Sequence, residues 1–182
     1  MLQLIIGPMF SGKTTELIRR YERVKVAKRT ALMVKYQGDS RYSLCNVTTH
    51  CGQSIDAHSC TRLDELADLT NQHEVVCIDE VQFYPDAVET IRGLIESGKT
   101  VIAAGLNGTS NREPFPVVAR LISLATKLDF CTSVCYYCKS EQGCFSKRLT
   151  NESDTVVIGG ADKYHACCLN CWAQPPPEKR IV

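Results

Sequence analysis

Residues 7–14 read Gly7-Pro8-Met9-Phe10-Ser11-Gly12-Lys13-Thr14 and fit the pattern G-x-x-x-x-G-K-[ST]. These residue types suit the cradling of a nucleotide's phosphates. Glycines let the backbone turn sharply and bring its N–H groups onto phosphate oxygens. A helix starting at the end of the loop adds unpaired N–H groups and the positive end of its dipole. Lys13 would hold the β- and γ-phosphates, and the Thr14 hydroxyl would ligate magnesium. A second cluster closes the run Val75-Val76-Cys77-Ile78-Asp79-Glu80, an apolar stretch ending in two carboxylates. Behind a phosphate loop, a carboxylate at such a strand end holds the magnesium, directly or through water. Asp79 suits that role. Glu80 points elsewhere and could serve as general base on an attacking hydroxyl.

A third constellation is cysteine-based. Cys135-Tyr136-Tyr137-Cys138 and Cys168-Leu169-Asn170-Cys171 are two C-x-x-C pairs. Each brings two thiolates to one metal, and together they complete a tetrahedral four-thiolate zinc site. The 29 residues between Cys138 and Cys168 exceed the roughly 15–20 of a compact ribbon, so a loop must leave the site and return. Four thiolates leave no open position for catalysis, so the role is structural. Cys167 has a permissible spacing to Cys171 and His165 is a third candidate; the C-x-x-C pairing favours Cys168. Cys45, Cys51, Cys60, Cys77, Cys131 and Cys144 read as core or surface thiols, with Cys77 packed in its strand. His50, His58 and His73 show no ligand pattern.

The elements that must position these groups are legible in part. Leu2–Ile6 reads as a buried strand leading into the loop. Lys13 to about Lys28 reads as a helix: Leu17, Ile18, Tyr21 and Val24 recur on one face, with Glu16, Arg19, Arg20, Glu22 and Arg23 solvating the other. Ala31–Lys35, Val75–Ile78 and Thr100–Ala104 read as strands, and Gly38–Thr48 as polar loop. Leu63–Leu69 reads as a helix that buries Leu63, Leu66 and Ala67. Asp86–Ser97 reads as a helix ending at Gly98. Strands alternating with helices predict an α/β fold with a parallel sheet covered on both faces. Beyond Ala125 the texture becomes cysteine-rich, with a short strand expected at Val156–Ile158. The expected organisation is a nucleotide-binding unit over 1–130, a zinc-binding unit over 131–174 and a tail over 175–182.

The 182 residues suffice for one domain with an appendage. Charge is nearly balanced, 21 Lys+Arg against 20 Asp+Glu, without the basic excess typical of a chain that wraps nucleic acid. No apolar run approaches the roughly 18 residues that span a bilayer, and the N-terminus lacks a signal-peptide pattern. The expectation is a cytosolic protein, and 11 cysteines there argue for metal binding and burial over disulfides. At this level the residues fit a phosphotransferase, or an ATPase acting on nucleic acid with a zinc ribbon.

The full set is more specific. The segment 7–14, Asp39-Ser40-Arg41-Tyr42, Asp79-Glu80-Val81-Gln82-Phe83 and Gly159-Gly160-Ala161-Asp162-Lys163-Tyr164 resemble the type II thymidine kinases, from about Leu4 to Cys171. The resemblance implies a RecA-like sheet carrying a zinc-bearing lasso that closes over a nucleoside. It implies transfer from ATP to the 5′-hydroxyl of thymidine or deoxyuridine. Glu80 would be the base, Lys13 and Arg41 would steady the phosphate, and Asp39, Asp79 and Gln82 would lie on the nucleotide and magnesium side. Main-chain groups of Thr155, Val156, Val157, Ile158 and Gly159 would read the pyrimidine. Tyr164 would contact the nucleoside by stacking or through its hydroxyl. Phe83, Leu106 and Phe115 would form apolar walls beside Thr109. Ser110 departs from the aromatic residue of animal and viral members, which leaves one wall smaller or filled by something else. The resemblance further implies a homotetramer inhibited by deoxythymidine triphosphate.

Overall fold

The computed structural model describes residues 1–38, 46–48, 54–150 and 157–174. Its architecture follows from apolar residues on both faces of the strands. In β1 (Leu2–Gly7), Leu2, Leu4 and Ile6 pack on one side of the sheet and Ile5 on the other, all buried. Then come α1 (Lys13–Val26), β2 (Ala31–Tyr36), the hairpin β3 (Asn46–Thr48) and β4 (Ser54–Asp56), and β5 (His58–Cys60). A 3₁₀ turn at Leu63–Leu66 leads into α2 (Ala67–Gln72), followed by β6 (Val75–Ile78), α3 (Ala87–Glu96), β7 (Thr100–Leu106), α4 (Pro116–Ile122) and β8 (Lys127–Phe130).

Six strands form one parallel sheet in the order β5-β2-β6-β7-β1-β8. Leu17, Ile18 and Tyr21 of α1 cover one face, against Ile5, Met33, Cys77 and Ile102. On the other face Val88, Ile91 and Leu94 of α3 and Val118 and Leu121 of α4 pack on Leu4, Val34, Val76 and Ala103. This is the α/β class expected. Beyond the sheet, β9 (Phe145–Arg148) and β10 (Tyr164–Cys167) pair antiparallel, and α5 (Leu169–Ala173) follows.

Several expectations need correction. Asn46–Thr48, read as loop, is a strand, because Val47 is buried against the α1 side of the sheet. Val157 and Ile158 have no regular secondary structure, and Val156 lies outside the described residues. The Leu63–Leu69 segment splits into a 3₁₀ turn and the start of α2, and Leu69 packs inward where Ala67 is exposed. Arg20, expected on the solvated face of α1, is buried, because Glu16, Gln3 and Asp129 supply three acceptors for its guanidinium.

Candidate active site

The phosphate loop joins β1 to α1, and its conformation explains its sequence. A side chain at Gly7 would place Cβ 2.3 Å from the Cys131 carbonyl oxygen. Gly12, the residue before α1, has φ 77, in the left-handed region that glycine adopts without a Cβ clash. Phe10 also takes a positive φ of 62. The Ser11 hydroxyl donates to the Pro8 carbonyl at 2.8 Å, and the Lys13 ammonium folds back onto the same oxygen at 2.6 Å. Lys13 therefore already lies along the loop at the start of α1, where an anion would gather backbone N–H groups.

β6 delivers the carboxylates to the same edge of the sheet, separated from β1 by β7 alone. The Thr14 hydroxyl donates to Asp79 at 3.2 Å to one carboxylate oxygen and 3.4 Å to the other. A hydroxyl and a carboxylate facing each other at a phosphate loop are the hard oxygen donors that magnesium takes alongside phosphate oxygens, so the pair fits that ion. Glu80 turns away from them. It is held at φ 52, ψ 46, and its carboxylate accepts a 2.6 Å hydrogen bond from the Gln82 amide. The Gln82 oxygen in turn accepts from the Leu106 backbone N–H at 3.1 Å. Gln82, expected beside the nucleotide, thus has both ends of its amide engaged between Glu80 and β7.

Glu80 stands on the wall of a mostly apolar cleft, the kind of concave surface on which small-molecule sites are built. Phe83, Leu106 and Phe115 form apolar walls, with the Phe83 and Phe115 rings edge to face at 6.5 Å. Thr109 and Ser110 line it as well, together with Val157, Ile158, Gly159 and Tyr164. The Tyr164 hydroxyl donates to the Val157 carbonyl at 2.8 Å and accepts from Arg148 at 3.2 Å, so this residue offers the cleft its ring. Met9 lies on both the cleft and the phosphate loop, which makes the two continuous. On the far side of the loop a more open groove passes Ser11, Gly12, Thr15 and Phe130. Asp39, Arg41, Thr155 and Val156 lie outside the described residues.

Sequence reading missed Gly108 and Ser146, which also line the cleft. Ser146 is buried in β9, and its hydroxyl accepts the Met9 backbone N–H at 3.0 Å, tying the phosphate loop to the cysteine-bearing region. No motif marks it; its place depends on β9 crossing the loop.

Cys135, Cys138, Cys168 and Cys171 gather with their sulfurs within 4.8 Å of one another. Cys167 is turned away, its thiol directed at the Phe145 carbonyl and pushed up to about 11 by burial. His165 stacks on Tyr136 with ring centres 3.5 Å apart. Both alternatives for the fourth position therefore point elsewhere. Burial would raise the Cys135 thiol, but backbone N–H groups of Cys138, Cys168 and Tyr137 outweigh it and bring the group to about 6. Desolvation, with the neighbouring thiols, drives Cys171 up to about 12. Four sulfurs this close cannot all be ionised unless a cation offsets their charge, and a four-thiolate set suits zinc.

A phosphate loop between strand and helix, with a carboxylate on a nearby strand end, defines a P-loop nucleotide-binding protein; the apolar cleft beside the loop offers room for a second substrate. Comparison with known proteins narrows the class. The thymidine kinase family model matches residues 1–172. Thymidine kinase 1 of Dictyostelium discoideum is 42% identical over 94% of this chain and 77% of its own length. The thymidine kinase of Myxoma virus (strain Lausanne) is 42% identical over 94% and 95%, and the cytosolic thymidine kinase of Homo sapiens 43% over 94% and 72%. The chain belongs to the thymidine kinase family, whose members are phosphotransferases.

Proposed function

We propose that the chain transfers the γ-phosphate of ATP to the 5′-hydroxyl of thymidine, and of deoxyuridine, giving the nucleoside monophosphate and ADP. The observation that carries this reading is the position of Glu80: a carboxylate on the wall of an apolar cleft that adjoins the phosphate loop at Met9. A nucleoside in the cleft, sugar toward the loop, brings its 5′-hydroxyl to Glu80. The carboxylate takes the hydroxyl proton as the oxygen attacks the γ-phosphorus, and ADP departs with the bridging oxygen's electron pair. Gln82 holds Glu80 in place. Lys13 and Arg41 offset the charge on the transferring group, with Asp39 beside them. Magnesium, held by Thr14 and Asp79, would neutralise charge on the β- and γ-phosphates. Main-chain groups from Thr155 to Gly159 read the pyrimidine, and closure of this segment excludes water, favouring transfer over hydrolysis.

Zinc on Cys135, Cys138, Cys168 and Cys171 holds the base of the covering segment. The units 1–130 and 131–174 are the nucleotide-binding and lasso parts of this machine. Family resemblance adds a homotetramer inhibited by deoxythymidine triphosphate, and balanced charge with no long apolar run favours a cytoplasmic protein without a nucleic-acid or membrane partner. The test is Glu80→Gln, which preserves size and removes the base. ATP binding is expected to persist while kcat for nucleoside phosphorylation falls about 10²–10⁴-fold. Unchanged turnover would remove Glu80 from the mechanism.

A further inference from the structure

The cleft wall at Ser110 is held from outside by a residue that no motif marks. Trp172 lies in α5, directly after Cys171, and its indole N–H donates to the Ser110 carbonyl oxygen at 3.1 Å. The Arg112 guanidinium lies over the same indole, 4.0 Å from the ring centre, and 5.7 Å from that of Phe145. Arg112 itself has a φ of 65, a conformation uncommon for a non-glycine residue. The rest of the wall is bonded within itself: the Thr109 hydroxyl accepts the N–H groups of Asn111 and Glu113, and the Thr109 N–H reaches the Glu113 carbonyl at 2.9 Å. These bonds tie the turn to itself, and Trp172 grips it at Ser110. The other end of the grip is anchored too, since the Lys147 ammonium donates to the Cys171 and Trp172 carbonyls at 2.9 and 3.2 Å and also to that of Gln174.

We propose that Trp172 is a positioning residue for the acceptor cleft, fixing the Thr109–Ser110 wall from the four-cysteine region through its indole N–H and the Arg112 stack. The proposal rests on the reading of that cleft as the nucleoside site. The contact fixes the cleft's width beside the small Ser110 side chain, so it governs nucleoside affinity and leaves the phosphate loop untouched.

Trp172→Phe keeps a ring beneath Arg112 and deletes the donor. Its KM for thymidine is expected to rise about fivefold, the effect of one neutral hydrogen bond, while kcat and the KM for ATP stay within about twofold. An unchanged thymidine KM, or a parallel loss in all three constants, overturns the proposal. Trp172 is the chain's single tryptophan, so wild-type emission reports on this contact without background and decides the matter should the variant not fold. Saturating thymidine is expected to alter that emission; a spectrum indifferent to it, in enzyme that phosphorylates thymidine, overturns the proposal. Wild-type enzyme that phosphorylates no thymidine overturns the nucleoside reading of the cleft instead.

Discussion

Glu80 occupies a left-handed conformation at φ 52, ψ 46, which costs a non-glycine residue about 1–3 kcal/mol. The strain has a geometric return. Asp79 continues β6 and meets Thr14, and the reversal at the next residue sends the second carboxylate into the cleft. Gln82 then bridges Glu80 to Leu106 beneath a bare backbone: a Cβ at Gly105 would come within 2.8 Å of both the Gln82 amide oxygen and a Val81 methyl. Gly105→Ala is therefore expected to displace Gln82 and lower kcat about tenfold, following loss of one or two buried hydrogen bonds, with ATP affinity unchanged by equilibrium binding. Lys13, Thr14, Asp79 and Glu80 were legible because each sits at a fixed offset within a motif. Ser146 and Trp172 were not, since each reaches its partner across a long stretch of chain. The Tyr164 hydroxyl, readable as a nucleoside contact, is bonded to Val157 and Arg148.

Among the elements, α1 carries the phosphate loop and is clamped to the sheet edge by charge. Arg20 joins Glu16 to Asp129 of β8, at 2.8 Å on each side. Hydrogen bonding from Arg19 is the largest influence on Glu16 and, with Arg20, brings its carboxyl from 4.5 to about 2; Arg20 likewise lowers Asp129. Both groups have folded values below their unfolded ones. Their stabilisation is complete above about pH 4.5 and is lost as pH falls toward 2. Glu16→Gln is expected to flatten the decline of the thermal midpoint between pH 5 and pH 2 relative to wild type, and to lower the midpoint by a constant amount above pH 5. The central strands β1, β6 and β7 were readable as continuous apolar runs because both their faces are covered. The edge strands β5, His58-Ser59-Cys60, and β8, Lys127-Leu128-Asp129-Phe130, lack that pattern because much of each faces solvent. β9 was hidden for another reason: its buried positions are the polar Ser146 and Lys147, so no apolar run marks it.

At the scale of the whole molecule, hydrogen bonds that stitch the cysteine region to the nucleotide-binding sheet include Met9 to Ser146, Asn107 to the Cys144 carbonyl, and Trp172 to Ser110. Order at the four thiols is thereby linked to both substrates' surroundings. Purified protein is expected to hold about one zinc per chain by atomic absorption, and Cys171→Ser to lower both zinc content and thermal midpoint. Lys147→Met strips three carbonyls near the end of α5 of their partner and is expected to cost about 1–3 kcal/mol of stability in chemical unfolding. The two C-x-x-C pairs announced the cluster and favoured Cys168 over Cys167 from spacing alone; the fold adds the direction of Cys167, whose thiol turns to the Phe145 carbonyl.

The most direct test incubates the purified protein with magnesium, ATP and a panel of nucleosides and separates the products by chromatography. Formation of thymidine and deoxyuridine monophosphates, with purine nucleosides and deoxycytidine left unchanged, is the predicted result. ATP hydrolysis with no nucleoside phosphorylated, and stimulated by DNA, would contradict it and return the chain to the class of nucleic-acid ATPases.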